Sequence, residues 1–356
     1  MEVVWSRVIS VSNYRDGVYS VCASGDRVYA VGFDEYHGLG KKRFRIESFS
    51  VKDGKTIAAW TDGRSLPLAS FFTCVSYGNR VYAFGATDRF WSMLVFDRML
   101  EVISRVDVDN PHVIPLSSII LDRYPNLYLY VAGTTVPGEG TTAMYVAKVS
   151  ASDLSIVSSF TADSEGLGAG AYAVAYNNTT KQVVVGGYAK TESGLEWLVT
   201  FHNEDLKLDK VVKPGIRGSI SGLAVDADGF IYAVDGKRVV KMDPEGKVVA
   251  SVELPQAMKI YASQDRASPI SAYVAVASDS ELYLLSSENL SPVSSARLAG
   301  EPQMLIAFPG SMDAVYDSIY LAVTQVASNE KWNWVVMALT PRPTRARRFP
   351  RIFPVR

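Results

Sequence analysis

The sequence predicts an all-β fold, a seven-bladed β-propeller of four-stranded antiparallel blades, and three observations predict it. First, a short phrase, Val28-Tyr29-Ala30-Val31-Gly32, recurs along the 356-residue chain. Close copies read Val81–Gly85, Leu129–Gly133 and Val183–Gly187; weaker ones read Ile231–Asp235, Leu282–Ser286 and Ile319–Val323. The second position of the phrase falls at 29, 82, 130, 184, 232, 283 and 320, and repeats of roughly 40–50 residues with several strands each are the mark of propeller blades. Second, each repeat carries hairpin punctuation between β-prone runs. Third, the last repeat is one strand short, while a lone β-prone run, 3–11, stands at the other end with no blade of its own.

The first blade supplies the template. Residues 18–23 form an apolar run of the length of a fully buried strand, closed by the turn signal Gly25-Asp26. The phrase, at 28–31, is then the second strand, and 32–42 is a loop. Residues 44–51 mix Ile46 and Phe49 with polar neighbours, as a half-exposed third strand does, and Asp53-Gly54 signals a hairpin into the outer strand 56–60. The same reading fits 70–108, 116–160, 171–212, 220–254 and 259–298, with Asp228-Gly229 and Glu245-Gly246 as turns in the fifth unit. The last unit, 304–339, has three strands before the chain meets Pro341 and Pro343. Pairing 3–11 with those strands closes the ring and covers two sheet edges that would otherwise invite aggregation. Seven blades with mixed-terminus closure is the expectation, and six is the fallback because the final spacing is short. The propeller takes 1–341 and a separate arm takes 342–356.

Composition narrows the class. Hydrophobic residues make up 48% and charged residues 21%, which excludes a disordered or fibrous chain. No run approaches the roughly 18 apolar residues of a membrane span, and Met1–Ser10 lacks the basic and apolar regions of a signal peptide. The expectation is a cytoplasmic protein, and sparse Asn and Gln suggest a thermophile. Cys22 and Cys74 occupy matching places upstream of the first two copies of the phrase, so they are expected to pack between blades as small buried residues rather than to form a disulfide.

Two repeat types show a resemblance. The first blade, with Val28–Gly32, Phe49, Asp53-Gly54 and Trp60, resembles a kelch repeat, and so does the fourth, whose phrase ends in the pair Gly186-Gly187 with Trp197 after it. The fifth, Gly222-Leu223-Ala224-Val225-Asp226 followed by Asp228-Gly229-Phe230-Ile231-Tyr232, is similar to an NHL repeat. Both imply a propeller, and neither brings functional residues with it.

Propeller topology tells where a site belongs. The loop after each second strand and the connection to the next blade emerge on one side, and the two hairpins of each blade emerge on the other. The hairpins read as short, while the second-to-third-strand loops are long at 33–43, 86–92, 134–143, 188–196 and 325–333. Loops longer than their task requires, on a rigid scaffold, are where binding residues collect. The candidates are Asp34, Glu35, Tyr36, His37 and Arg43 in the first loop, Arg89 and Trp91 in the second, Trp197 after the fourth and Trp332 after the seventh. Aromatic and charged groups around a channel mouth suit a ligand or protein platform. Against this stands the reading that Trp91, Trp197 and Trp334 open third strands and pack between blades.

Catalytic patterns are sparse. His37, His112 and His202 lie in different blades, no GxSxG nucleophile signature is present, and the glycines at 166–170 precede a strand rather than a helix, so they read as an inter-blade turn. No cofactor is expected, although a Ca or Mg ion in the channel is compatible with one carboxylate per blade. The favoured function is a non-catalytic scaffold that binds another protein. The first alternative is a metal-dependent hydrolase, lactonase or lyase acting at the channel mouth. The second is a factor held to nucleic acid or an anionic membrane surface by the arm, where Arg342, Arg345, Arg347, Arg348, Arg351 and Arg356 carry +6 with no acid, leaving a body of −7. Three prolines in that arm, Pro343, Pro350 and Pro354, point to an extended segment.

Overall fold

Seven antiparallel sheets stand around a central channel, and six of the seven copies of the phrase become second strands. The computed structural model describes residues 1–109, 113–136, 141–163, 167–298, 304–306, 310, 312–315, 317–328 and 330–341. Blade one runs outward from the channel as Gly17–Ser24, Arg27–Asp34, Arg43–Ser50 and Thr56–Thr61. Five blades repeat that order, with inner strands Ser70–Tyr77, Ile114–Arg123, Ala169–Asn177, Gly222–Val225 and Lys259–Ala262. In blade seven, Met304–Ile306 and Asp313–Val315 both pair with Ser318–Val326, and Trp332–Thr340 follows. The N-terminal strand Glu2–Ile9 takes the outermost place, with Glu2 opposite Thr340 and Ile9 opposite Trp334. The seven-blade ring with mixed-terminus closure is as expected, and the six-blade fallback is excluded. Apolar clusters fill the seven gaps between successive blades, including the gap between blades seven and one.

Blade six corrects the sequence reading. Its second strand is Tyr273–Ala277, and Leu282–Ser286 lies within the third strand, Glu281–Ser286. The cause is the connection 263–272 between the first two strands, far longer than the tight hairpin expected there. Its side chains lean over two preceding blades: Gln264 Nε2 donates to the Tyr176 carbonyl in blade four at 2.6 Å, and Arg266 pairs with Asp228 in blade five at 2.6 Å. The hairpins are therefore not uniformly short.

The parts of the phrase have separate physical reasons. In blades one to four the inner strand carries an extra residue at one register position, Tyr19, Phe72, Leu116 or Tyr172. This bulge drives a carbonyl over the second strand. A Cβ on Gly32 would lie 2.0 Å from the Gly17 oxygen, and one on Gly187 would lie 1.8 Å from the Gly170 oxygen, so only glycine fits. The inner strands of blades five and six pair without a bulge; the fifth copy ends in Asp235. The tyrosine instead spans to the next blade. Tyr130 Oη donates to the Glu204 carbonyl at 2.6 Å, and Tyr232 Oη donates to the Ser287 carbonyl at 2.9 Å. Both acceptors lie in the outer hairpin of the following blade.

Those outer hairpins hold a repeat that hydrophobic patterning does not reveal. Leu100, Leu154, Leu206 and Leu290 adopt φ of 60–63°, where blades one and five have Gly54 and Gly246. All four leucines are buried against a gap between blades. A left-handed leucine costs about 1–2 kcal/mol, while burying its side chain contributes about 1.5–3 kcal/mol, so burial prevails. In blade one, Trp5 of the closing strand fills the space beside Gly54, where a Cβ would lie 2.5 Å from its ring.

The cysteines also depart from expectation: Cys22 and Cys74 form a disulfide with Cα atoms 5.9 Å apart. They do not occupy matching places. Cys22 is opposite Tyr29 and Cys74 opposite Ala83, one register position out of step in the repeat. Because side chains alternate along a strand, that offset turns them to opposite sides of their sheets, where they meet across the gap between blades one and two.

Candidate functional site

The side bearing the second-to-third-strand loops is here the loop face, and the opposite side is the hairpin face. On the loop face, charged and aromatic side chains come together over blade one. This group is held from beneath. Asp34 is fully buried, and its carboxylate accepts from Arg43 Nε at 2.8 Å and from the Tyr36 amide at 3.2 Å, with Arg45 at 3.6 Å. Asp16, also fully buried, accepts from the amides of Val11 and Ser12 at 2.8 and 2.9 Å and from Ser12 Oγ at 2.7 Å. The Glu35 amide approaches it at 3.4 Å. These bonds hold the loop and the incoming inter-blade connection in one conformation.

Above this base the groups turn outward. Tyr36 is 59% exposed, with His37 edge-on at 5.5 Å between ring centroids and the Arg43 guanidinium over its ring at 5.1 Å. Lys42 Nζ sits 3.9 Å from the Phe33 ring centroid. Burial holds the Lys42 ammonium below the usual lysine range, with Glu35 opposing and Arg15 reinforcing that shift. Glu35 is only 2% exposed, and its Oε2 has no hydrogen-bond partner among the described residues. Arg15 lies over the Trp332 ring at 5.0 Å, joining blade seven to the group.

The structure thus brings together Asp34, Glu35, Tyr36, His37, Arg43 and Trp332, with Asp34 and Glu35 inside and Tyr36 and His37 outside. Arg89 is exposed on the next blade's loop beside its own neighbour Phe90. Trp91 and Trp197 are 1% and 0% exposed and present no ring to solvent. Trp91 packs edge-on against Tyr145 of blade three, and Trp334 donates to the Phe33 carbonyl at 3.2 Å. Arg342, Arg345, Arg347, Arg348 and Arg351, like His112, lie outside the described residues. Sequence reasoning passed over Arg15 and Asp16, which sit in an inter-blade connection rather than in a long loop. The signal was available, because the same topology brings those connections to the loop face.

The channel presents different chemistry. A cavity of about 400 Å³ lies at the C-terminal ends of the inner strands and runs out to Asn178 and Gln264 on the hairpin face. Its walls are apolar apart from hydroxyls, three tyrosines, Tyr172, Tyr176 and Tyr261, the amides Asn178 and Gln264 at the outer end, and one charged residue, Asp313. The Asp313 carboxylate accepts from the amides of Ala23 and Ala314, each at 2.8 Å, yet burial pushes it up to about 6. Nearer the loop face, Lys259 is fully buried and donates to the Tyr19 carbonyl across the channel; burial pushes it down to about 7. His202 is buried between Thr200, at 2.8 Å from Nε2, and Phe160, and burial holds it down to about 4, a packing histidine. Among the described residues, no group of three or more His, Cys, Asp or Glu is placed to hold a metal ion.

Comparison with known proteins shows the fold alone. No family model and no curated protein matches the chain. Among solved structures, the WD40 domain of Pan2 from Neurospora crassa superposes with a TM-score of 0.62 over 96% of this chain and 98% of that one, at 10% sequence identity. The fold is shared by 759 matching chains, so it cannot select a function by itself.

Proposed function

We propose that the chain is a non-catalytic protein-interaction scaffold whose partner docks on the loop face over blade one. The observation that carries this reading is the pairing of exposed Tyr36 and His37, and of the half-buried Arg43 against the Tyr36 ring, with the buried carboxylate base that holds their loop. Tyrosine and arginine dominate interface hot spots, and a loop held in place before binding loses less entropy on association. Superposition on a WD40 domain fits a binding role as an analogy of fold. A metal-dependent hydrolase or lyase is the competing reading, and the described cavity wall offers it one carboxylate, Asp313.

The proposal places the protein in the cytoplasm; among the described residues no helix is long and apolar enough to cross a membrane. A structural disulfide inside a cell suits a hyperthermophile, in line with the thermophile expectation. The test begins with proteins retained on immobilised full-length chain and proceeds to a purified partner. Tyr36→Ala combined with His37→Ala is expected to weaken that partner's Kd tenfold or more at unchanged Tm. Equal affinity for both proteins would move recognition off blade one.

A further inference from the structure

A carboxylate enclosed by protein is destabilising unless a cation stands beside it, and no cation pairs with Asp313 among the described residues. Asp313 is half-buried on the wall of the channel cavity and is the one charged residue of the described wall. Each of its oxygens accepts one backbone amide, from Ala23 of blade one and from Ala314, both at 2.8 Å. These bonds fix the carboxylate where the inner strands of blades seven and one meet, and each oxygen keeps a lone pair for a further donor. The sequence holds no Lys, Arg or His between Arg297 and Lys331. Lys259, on the neighbouring inner strand, donates to the Tyr19 carbonyl instead.

The surroundings suit an organic cation better than a metal ion. Tyr261 comes from the inner strand of blade six and Tyr172 from that of blade four, both half-buried on the wall. Burial, and next the Asp313 charge, hold the Tyr261 phenol above its ordinary range, the effect of a carboxylate close to that ring. The face of a phenol ring attracts a cation. Beyond the rings the wall is aliphatic, with Val75, Leu223 and Met312. Calcium takes roughly six to eight oxygen ligands, and a single carboxylate on an apolar wall is a poor start for that set.

The cavity is also closed toward one end. Its wall stops short of the loop face, where Lys259 reaches across to the Tyr19 carbonyl and the Tyr19 ring lies 4.8 Å from that of Phe72. A Cβ on Gly310 would collide with the same carbonyl. At the hairpin face the mouth is narrowed, because the Gln264 amide crosses from blade six to the Tyr176 carbonyl and accepts from Asn178. The volume of about 400 Å³ falls within the roughly 300–1,000 Å³ of small-molecule sites.

We propose that the channel cavity binds a small primary amine entering from the hairpin face, with its ammonium on the Asp313 carboxylate beside Tyr261 and its apolar body against Val75, Leu223 and Met312. The ammonium supplies the donors that the open lone pairs of Asp313 accept, which a quaternary nitrogen does not. This inference is independent of the loop-face proposal, since the two concern opposite sides of the ring.

Methyl NMR on the full-length protein labelled at methionine tests it, with the Met312 methyl assigned through Met312→Leu. Phenethylamine, tryptamine and cyclohexylamine are titrated at neutral pH, each against its alcohol and carboxylate counterparts. The amines are expected to move the Met312 resonance with a Kd of about 1 mM or tighter, as fragment-sized ligands do. The alcohols should bind at least about tenfold more weakly, and the carboxylates should leave Met312 unmoved. In Asp313→Asn the preference for amine over alcohol should vanish. In Tyr261→Leu, which keeps the carboxylate, amine affinity should fall about threefold with the preference retained. Loosened packing in a variant would weaken amine and alcohol alike and leave that ratio readable, and the wild-type titrations decide the case if Asp313→Asn does not fold. The proposal is overturned if no amine moves Met312, if amine and alcohol bind the wild type equally, or if Asp313→Asn keeps the preference. It is equally overturned if calcium chloride moves the Met312 methyl and the amines do not.

Discussion

The hairpin face and the loop face are built on different principles. On the hairpin face the same devices recur from blade to blade: a left-handed leucine or glycine in the outer hairpin, and a tyrosine reaching the next blade's turn carbonyl. On the loop face the arrangement over blade one is not repeated. Asp34 and Asp16 are buried with their partners there, and no other blade presents an exposed tyrosine and histidine on such a base among the described residues. Recurrence marks what every blade needs in order to pack. Departure from it marks what only one blade does, which is why the loop face is the stronger claimant for recognition.

This comparison can be broken at several points, and the inter-blade disulfide is the largest. It joins residues separated by 52 positions, and closing a loop of that length removes denatured-state entropy equivalent to about 4 kcal/mol. Cys22→Ala with Cys74→Ala is expected to lower unfolding free energy by that amount in a urea titration, and intact-mass measurement after alkylation without reductant should find no free thiol in the wild type. Alkylation of both cysteines would remove the cross-link from the account. The leucine plugs come next: Leu100→Ala, Leu154→Ala, Leu206→Ala and Leu290→Ala should each cost about 2–3 kcal/mol, toward the lower end for buried leucine because each retains a strained backbone. Four similar values would establish a common device, whereas values scattered from zero upward would mean that the shared φ has no shared cause.

The channel gives a comparison in pH. Burial raises Asp313 from an ordinary 3.8 to about 6. The native state therefore holds a proton between those values that the unfolded chain has released, so its stability falls as pH rises from about 4 to 6 and stays reduced above. In Asp313→Asn that fall should vanish, and the variant should gain on the wild type across that window and level off beyond it. A constant difference at every pH would show that Asp313 does not titrate in the window. The loss of one backbone hydrogen bond would offset all points equally and leave the slope readable.

Much of the architecture was legible in the sequence, for a physical reason. A second strand packed on both sides must be apolar throughout, and the glycine after it must yield to the bulged carbonyl, so Val28–Gly32 and Val183–Gly187 stand out. Blade six was misread because Leu282–Ser286 is also a buried strand of the same texture, and no residue in the phrase tells a second strand from a third. The left-handed leucines were invisible because glycine, not leucine, announces that backbone. Cys22 and Cys74 were misjudged by one register position, which distance along the chain hardly registers and alternation turns into opposite faces. On the loop face, aromatic character alone did not separate exposed Tyr36 from buried Trp91 and Trp197. What separates them is the start of a strand: a ring in the strand enters the gap between blades, and a ring in the loop before it does not.

The smallest expected effect on stability carries the sharpest claim. Tyr36 contributes little to the core, being 59% exposed and touching His37 and Arg43 rather than a hydrophobic cluster. Tyr36→Ala should change unfolding free energy by less than about 0.5 kcal/mol, the range of ordinary surface substitutions. Arg43 keeps its hydrogen bond to Asp34, so the loop beneath should stay in place, and hydrogen exchange across 34–43 should match the wild type. A larger loss, or faster exchange through the loop, would make the Tyr36 ring part of the frame. Recognition would then have to be sought elsewhere on that face, at Arg89 or Trp332. Stability and exchange that hold while partner affinity drops would separate the outer surface of the blade-one loop from the frame that holds it.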